Sequence, residues 1–179
     1  MTDKTDPVTL LKRYCEDADQ PAFNRFYREQ SGRLWRFLRF RGCHEDAAYD
    51  LAAETFTRFI QVVCKDLSSP LALLYRIAIN LHIDSYRREK ATPVKFDQQA
   101  VDNHGELHHG EMLNDQLEAV RYYLAKLPKD EQNLLLMRYW IGLTHREIAG
   151  ILGSPEGTVR RQAAAAVKKI QAMWQEDET

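Results

Sequence analysis

The chain has 179 residues, of which 44% are hydrophobic and 28% charged, and its formal net charge is −1. This length can bury one core of ordinary size or two small ones. No apolar run approaches the roughly 18 to 20 residues that cross a bilayer, and the N-terminus lacks the basic-then-apolar order of a secretory signal, so we expect a cytoplasmic protein.

Three cysteines, Cys15, Cys43 and Cys64, lie far apart in the sequence and form no C-x-x-C pair. This spacing suggests neither a disulfide framework nor a thiolate zinc site. We therefore expect buried or idle thiols at all three positions.

Nearly every segment repeats its apolar residues at the helical period, and no convincing alternating strand is found, so the sequence predicts an all-α protein. The periodicity is interrupted by a polar stretch at 91–111 that holds Pro93, Gly105 and Gly110. Because loops of this length are uncommon inside one compact domain, we expect two small helical domains, 1–90 and 112–179, joined by a flexible linker at 91–111. The second domain is predicted to be a four-helix unit.

The stretch from Arg25 to Arg41 carries six arginines against one glutamate, interleaved with aromatic residues. Basic faces separated by acidic ones suit a protein that meets both nucleic acid and a protein partner. A solvated amphipathic helix explains the stretch equally well, so composition alone leaves both interpretations open.

The stretch from His44 to Val63 has the pattern of an amphipathic helix. Its predicted inward face consists of Ala48, Leu51, Ala52, Thr55, Phe56, Phe59, Ile60 and Val63. Its predicted outward face carries Asp50, Glu54, Thr57, Arg58 and Gln61. Glu54 and Arg58 have the i,i+4 spacing of a helical ion pair. On this pattern alone, the outward face is either solvated surface or a docking face.

The stretch from Pro70 to Lys90 combines an apolar stripe with a second, more polar face. The stripe consists of Leu71, Leu74, Ile77, Ala78 and Leu81. The other face consists of Leu73, Arg76, Asn80, Asp84 and Arg87. An asparagine amide is costly to bury without partners and can bond a base edge, and arginines suit phosphates, so this face favours nucleic acid. A buried structural amide is the alternative.

The linker contains His104, His108 and His109 together with Asp102 and Glu106, which are side chains of the kind that bind zinc, nickel or copper. The surrounding segment is polar and contains glycines, so it offers no core to hold such ligands in place. We therefore expect no metal site there, and we expect no cofactor.

The stretch from Leu143 to Trp174 predicts two helices joined by a tight turn. Thr144 and Glu147 have the spacing of a capping box, in which each side chain caps the other's backbone N–H. The first helix is expected to bury Ile148, Ile151 and Leu152. Gly153 supplies a left-handed turn, Ser154 is a good N-cap, and Pro155 follows where its missing N–H costs nothing.

The second of these helices displays its basic residues outward. Its predicted inward residues are Val159, Ala163, Ala166, Val167, Ile170 and Trp174. Its predicted outward residues are Arg160, Arg161, Gln162, Ala165, Lys168 and Lys169. Such a helix fits the major groove of DNA, which favours a helix-turn-helix over a hairpin with a solvated basic face. The residues expected beneath it are Leu134, Leu135, Met137, Arg138 and Tyr139, the apolar ones forming core.

Three blocks, in this order and with this linker, resemble the extracytoplasmic-function (ECF, group 4) sigma factors of the bacterial sigma-70 family. The block "DLAAETFTRF" resembles region 2.2, "LLYRIAINLHIDSYRRE" resembles regions 2.3 and 2.4, and the stretch from "LAKLPKDEQ" to "SPEGTVRR" resembles region 4. The resemblance covers almost the whole chain except the linker. It implies a sigma factor that brings RNA polymerase core to a promoter and starts transcription, with no catalytic residues.

The resemblance also implies a role for particular residues. Those expected at the −35 promoter element are Thr158, Arg160, Arg161, Gln162 and Lys168. Those expected at the −10 element are Arg76, Asn80, Arg87 and Arg88, with Lys65 and Ser68 in a loop that captures a flipped base. Those expected to bind the clamp helices of the largest polymerase subunit are Asp50, Leu51, Glu54, Phe56 and Arg58. The flap of the second-largest subunit and an anti-sigma factor are further implied partners.

Two departures from the family pattern indicate a subgroup of these sigma factors. Leu73 stands where many members have a tryptophan, and alanines fill 163–166 where relatives often continue with arginine and an aromatic residue. Both features resemble the iron-uptake subgroup, which implies a membrane-bound anti-sigma factor that holds the protein at the inner membrane.

Two other classes of function are weighed against a sigma factor. A helix-turn-helix regulator acting without core polymerase needs a dimer face or a ligand pocket, and the second DNA-reading block argues against it. An enzyme is disfavoured because the chain has no Gly-rich phosphate loop, H-E-x-x-H motif or G-x-S-x-G motif.

Overall fold

The computed structural model describes residues 6–91 and 115–177, and within these ranges the chain is helical without a β-strand, as predicted. The α-helices are Pro7–Asp17 (α1), Gln20–Phe40 (α2), Glu45–Val62 (α3), Pro70–Ala91 (α4), Asp115–Lys126 (α5), Lys129–Leu135 (α6), His145–Leu152 (α7) and Glu156–Asp177 (α8). A 3-10 turn, Val63–Lys65, follows α3, and a π-helical segment, Leu136–Ile141, continues α6.

These helices divide into two compact units, α1 to α4 and α5 to α8, which confirms the all-α, two-domain fold class. The predicted limits at 90, 91–111 and 112 remain predictions, because 92–114 lies outside the described residues. No helix in the described ranges is both long enough and apolar enough to cross a membrane.

Aspartates fix the entrances of the first two helices. The Asp6 carboxylate accepts a hydrogen bond from the Thr9 N–H at 3.3 Å, and that of Asp19 accepts one from the Ala22 N–H at 3.1 Å. Each cap is followed by a proline in the first turn, where the missing N–H needs no helical partner. The sequence therefore specifies where α1 and α2 begin.

An aromatic cluster forms the core of the first unit, in which α2 packs against both α1 and α3, and α3 against α4. Phe26 lies at its centre, stacked on Phe59 with ring centroids 5.5 Å apart and edge-on to Phe56 at 6.5 Å. Phe37 meets Tyr75 edge-on at 5.1 Å. This core fixes α3 and α4 against α2 and so determines which of their faces point outward.

In the second unit, α8 packs against α5, α6 and α7. Its buried core consists of Tyr123, Leu124, Leu127, Leu134, Leu135, Met137, Ile141, Leu143, Ile148, Ala149, Val159, Ala163 and Ala166. Two residues predicted inside are outside instead: Tyr139 is 66% exposed and Leu152 is 42% exposed. The π-helical segment rotates Tyr139 off the regular helical period, and Leu152 lies at the last position of α7, where the chain already turns away.

Candidate nucleic-acid interface

The predicted capping box opens α7. The Thr144 hydroxyl accepts a hydrogen bond from the Glu147 N–H at 3.2 Å, and the Glu147 carboxylate accepts one from the Thr144 N–H at 2.8 Å. Two backbone donors that the helix itself leaves unpaired are therefore satisfied. The box holds the first helix of the helix-turn-helix in place.

Thr144→Ala is expected to lower the local stability of α7 by about 0.5 to 2 kcal/mol, because alanine cannot accept the Glu147 N–H bond. Hydrogen exchange of the α7 amides measures this loss, and Thr144→Ser, which keeps the hydroxyl, is the matched control. Equal protection in the alanine and serine variants would show that the cap contributes nothing.

The turn between α7 and α8 adopts the predicted left-handed conformation at Gly153, where φ is 64°. A side chain is strained at this backbone angle, which explains the glycine. The helix α8 begins at Glu156, and the Pro155 carbonyl accepts the Val159 N–H at 3.1 Å. Pro155 therefore occupies the N-cap position that was predicted for Ser154, and the helix begins one residue later than expected.

The outward display predicted for α8 is confirmed. Val159, Ala163 and Ala166 are buried, and Arg160, Arg161, Gln162, Ala164, Ala165, Lys168 and Lys169 are exposed. Thr158 is half-buried at the start of the same face. The five residues predicted for the −35 element therefore lie on one helix whose opposite side is held in the core.

The two adjacent arginines have different neighbours. Arg160 forms an ion pair with Glu156 at 2.7 Å, whereas Arg161 donates a 3.4 Å hydrogen bond to the neutral Thr158 hydroxyl. The Glu156 carboxylate offsets part of the attraction of Arg160 for phosphate. The Thr158 hydroxyl is neutral, so this contact does not offset the charge of Arg161. Arg161 is consequently the better placed of the two for DNA.

In the first unit, α4 presents a polar face. Arg76, Asn80, Asp84 and Arg87 recur along one side of the helix and are exposed, and Arg88 is exposed beside them. The alternative of a buried structural amide at Asn80 is therefore wrong. The amide and the guanidinium groups share a surface that can bond base edges and phosphates.

The loop before α4 carries the other two residues predicted for the −10 element, Lys65 and Ser68, both exposed. The loop is ordered locally: the Ser68 N–H donates to the Asp66 carboxylate at 2.9 Å. Hydrogen bonds from the Ser68 side chain and backbone lower the pKa of Asp66. At the ends of the loop, Val63 and Pro70 are buried.

The outward face of α3 carries Asp50, Glu54 and Arg58, all exposed, and Glu54 and Arg58 form the predicted ion pair. Leu51 and Phe56, predicted with them as polymerase contacts, are only 9% and 6% exposed. Both are mostly buried, so their contact with a partner stays a prediction. They hold the three charged residues in position.

The expectation of buried or idle thiols is wrong for Cys15 and Cys64. Cys15 of α1 and Cys64 of the 3-10 turn form a disulfide, with Cα atoms 5.4 Å apart across a sequence separation of 49. No local motif signals this bond, because only the packing of α1 against the turn brings the two residues together. Cys43 is buried, as predicted, with its sulfur 2.8 Å from His82 Nδ1.

Burial governs the chemistry of this Cys43–His82 contact. It raises the pKa of Cys43 to about 11 and, with the nearby Arg41 charge, lowers that of His82. Both groups are therefore neutral at pH 7, and Cys43 is a poor nucleophile.

In the described parts of the chain no group of three or more metal-binding side chains is found. His104, His108, His109, Asp102 and Glu106 lie outside the described residues.

Comparison with known proteins identifies the family. Residues 117–170 match the profile "Sigma-70, region 4". The chain is 30% identical over 138 residues to the RNA polymerase sigma-H factor of Pseudomonas aeruginosa, covering 69% of this chain and 70% of the relative. It is 25% identical over 186 residues to the ECF RNA polymerase sigma factor BldN of Streptomyces coelicolor, covering 98% of this chain and 69% of that relative.

A solved structure shares the fold. The sigma factor RpoE from Bartonella quintana, crystallised with the anti-sigma factor NepR, superposes with a TM-score of 0.63 at 17% identity, covering 86% of this chain and 96% of that one. The chain belongs to the ECF sigma factors of the sigma-70 family.

Proposed function

We propose that this sigma factor reads the −35 promoter element with the exposed face of α8. Thr158, Arg160, Arg161, Gln162 and Lys168 are the contacting residues. The single observation that carries the proposal is the display of two adjacent arginines in the first two turns of a helix that is buttressed by α7 and α6. Arginine bonds guanine edges bidentately or grips phosphates. The exposed Ala164 and Ala165 offer only methyl contacts, so base readout concentrates in the first two turns.

The −10 element, in this proposal, binds the polar face of α4 and the loop before it. Asn80 bonds a base edge, while Arg76, Arg87 and Arg88 neutralise phosphates. Lys65 and Ser68 line the loop that holds a base unstacked from the duplex. Unstacking one base costs a few kcal/mol, which a pocket and backbone contacts can offset.

The outward face of α3 binds the clamp helices of the largest polymerase subunit through Asp50, Glu54 and Arg58. The exposed charges of this face, two acidic residues followed by one basic residue, support the assignment, because charge complementarity orients partners and speeds their encounter. The flap of the second-largest subunit is the expected partner of the second domain. The roles divide accordingly between 1–90 and 112–179, with 91–111 as the connection.

Regulation by an anti-sigma factor is part of the proposal. Support comes from the fold neighbour RpoE, which was crystallised with the anti-sigma factor NepR. Leu73 and the alanines at 163–166 favour the iron-uptake subgroup, with a membrane-bound anti-sigma factor and a cytoplasmic site of action.

Run-off transcription with purified core polymerase on a promoter library tests the function. A sigma factor starts RNA chains from a defined subset of promoters, and sequencing their 5′ ends reveals the −10 and −35 elements. A helix-turn-helix regulator that acts alone binds DNA but starts no transcript. That outcome would overturn the proposal.

Arg161→Ala is expected to weaken binding to the −35 element by about 1 to 3 kcal/mol, or roughly 5- to 150-fold, because the guanidinium loses its base or phosphate bonds. Fluorescence anisotropy with promoter DNA from the run-off experiment measures the loss. Lys169→Ala removes an equal charge from the same helix, but Lys169 pairs with Glu131 of α6 and should leave affinity nearly unchanged. Equal effects of both substitutions would mean that α8 acts only through its total charge.

A further inference from the structure

The disulfide Cys15–Cys64 ties α1 to the turn that leads into the proposed −10 loop. Cys15 lies two residues before the end of α1, and Cys64 is the middle residue of the turn Val63–Lys65. Lys65, assigned to the −10 element, is the next residue in the chain. The covalent bond therefore acts directly beside a proposed DNA contact.

The bond is open to solvent reagents. Cys64 is exposed and Cys15 is half-buried, whereas Cys43 is 8% exposed and bonded to His82. Because exchange requires a thiolate to reach a disulfide sulfur, accessible bonds are the ones that reductants cleave. The Cys15–Cys64 disulfide is therefore accessible to reductants, whereas the Cys43 thiol is protected from reagents.

Buried residues on both sides of the bond hold its two elements in the core. On the helix side, Leu10 and Leu11 anchor α1 in the core, at 1% and 0% exposure. On the turn side, Val63 is fully buried. Loss of the covalent bond would leave α1 and the turn seated while removing their direct link. The bond therefore restrains the turn without being needed to form it.

We propose that Cys15 and Cys64 form a reversible thiol–disulfide modification site that adjusts the −10 loop, an inference that rests on the proposed promoter-binding function. A protein that acts on promoter DNA works in a compartment where thiols are kept reduced, and disulfides there are usually transient, catalytic or redox-sensing. The position of this bond, beside the loop rather than in the core, fits sensing.

A dithiol protein can reduce this bond, and a peroxide can form it again. In reduction, a thiolate of a dithiol protein attacks one sulfur of the bond and displaces the other as a thiolate, which gives a mixed disulfide. The second thiol of the dithiol protein then attacks this mixed disulfide, so that protein leaves as its own disulfide. Two electrons and two protons are thereby transferred to Cys15 and Cys64. In oxidation, one cysteine thiolate attacks a peroxide and becomes a sulfenic acid, releasing water or an alcohol. The second thiol then condenses with it to form the disulfide and one water.

The oxidised state is the one that favours the −10 element. Restraining the turn at Cys64 limits the positions available to Lys65 and the loop that follows, so less conformational freedom is lost when DNA binds. We expect the oxidised holoenzyme to bind the −10 single strand about three- to tenfold more tightly than the reduced holoenzyme.

The first experiment follows the thiols of the full chain across glutathione buffers of increasing oxidised fraction, with alkylation and mass spectrometry of the peptides. Cys15 and Cys64 should be protected together as the buffer becomes oxidising, while native Cys43 stays a slowly alkylated thiol throughout. Independent titration of the two residues, or no disulfide even under peroxide, would overturn the site. This test needs no polymerase, so it stands apart from the proposed function.

The second experiment measures holoenzyme binding to the −10 single strand of a promoter from the run-off experiment, before and after reduction. Wild type should lose three- to tenfold affinity on reduction, and Cys15→Ser should show the reduced value in both states. Cys15 lies outside the proposed DNA contacts, so its variant isolates the tether. Equal affinity in both redox states refutes the coupling while leaving the sigma-factor function intact, and absence of transcription in either state refutes that function instead.

Discussion

Phe26→Ala is expected to lower the free energy of unfolding of the first unit by about 3 to 5 kcal/mol. The ring is fully buried, stacks on Phe59 and meets Phe56 edge-on. Alanine leaves a cavity between α2 and α3 and removes these ring contacts. Because domains of this size are stable by only about 5 to 15 kcal/mol, the variant loses a large part of its stability.

Urea unfolding of the full chain, followed by hydrogen exchange of the α2 and α3 amides, measures the loss. Tyr27→Ala is the matched control, since it removes a neighbouring ring on the same helix that is 43% exposed, and it should cost less. The DNA affinity of α8 should survive in both variants, because that helix belongs to the other unit. A loss below about 1 kcal/mol would contradict the core described for Phe26.

Sequence periodicity predicts the faces of single helices well. Every residue expected on the inward face of α3 is buried or half-buried, and Asp50, Glu54, Thr57, Arg58 and Gln61 are all exposed. The reason is that one helix with a regular period needs no knowledge of its neighbours to show which side is apolar. The capping box at Thr144 and the turn at Gly153 were predictable for the same reason, since their chemistry is local.

Features that depend on departures from the regular period could not be predicted. Tyr139 lies outside the core because a π-helical segment interrupts the period there. Nothing in the order of residues in this stretch announces the extra residue in that turn. The position of Leu152 likewise depends on where α7 gives way to the turn.

Contacts between elements that are distant in the sequence could not be predicted either. Cys15 and Cys64 meet only because α1 packs beside the turn after α3, and Cys43 meets His82 across 39 residues. The assignment of Leu51 and Phe56 as partner contacts followed the family segment rather than the helical face, which places both in the core.

Glu54→Arg is expected to weaken binding of core polymerase at least about tenfold, because it reverses one charge on the face of α3 that is proposed to bind the clamp helices. The substitution also breaks the Glu54–Arg58 pair and sets two like charges at i,i+4. That intrahelical effect is only about 0.2 to 0.5 kcal/mol, so the helix should persist. Anisotropy of labelled chain with core polymerase measures the affinity, and Glu16→Arg, in the exposed pair with Lys12, is the control.

The double variant Glu54→Arg, Arg58→Glu separates the two effects. It restores an ion pair of the same spacing within α3 but reverses the pattern that a partner meets. If the face binds by charge complementarity, core affinity stays low although helix stability recovers. Recovery of affinity in the double variant would show that the pair merely supports the helix, and the docking face would then have to lie elsewhere on the first unit.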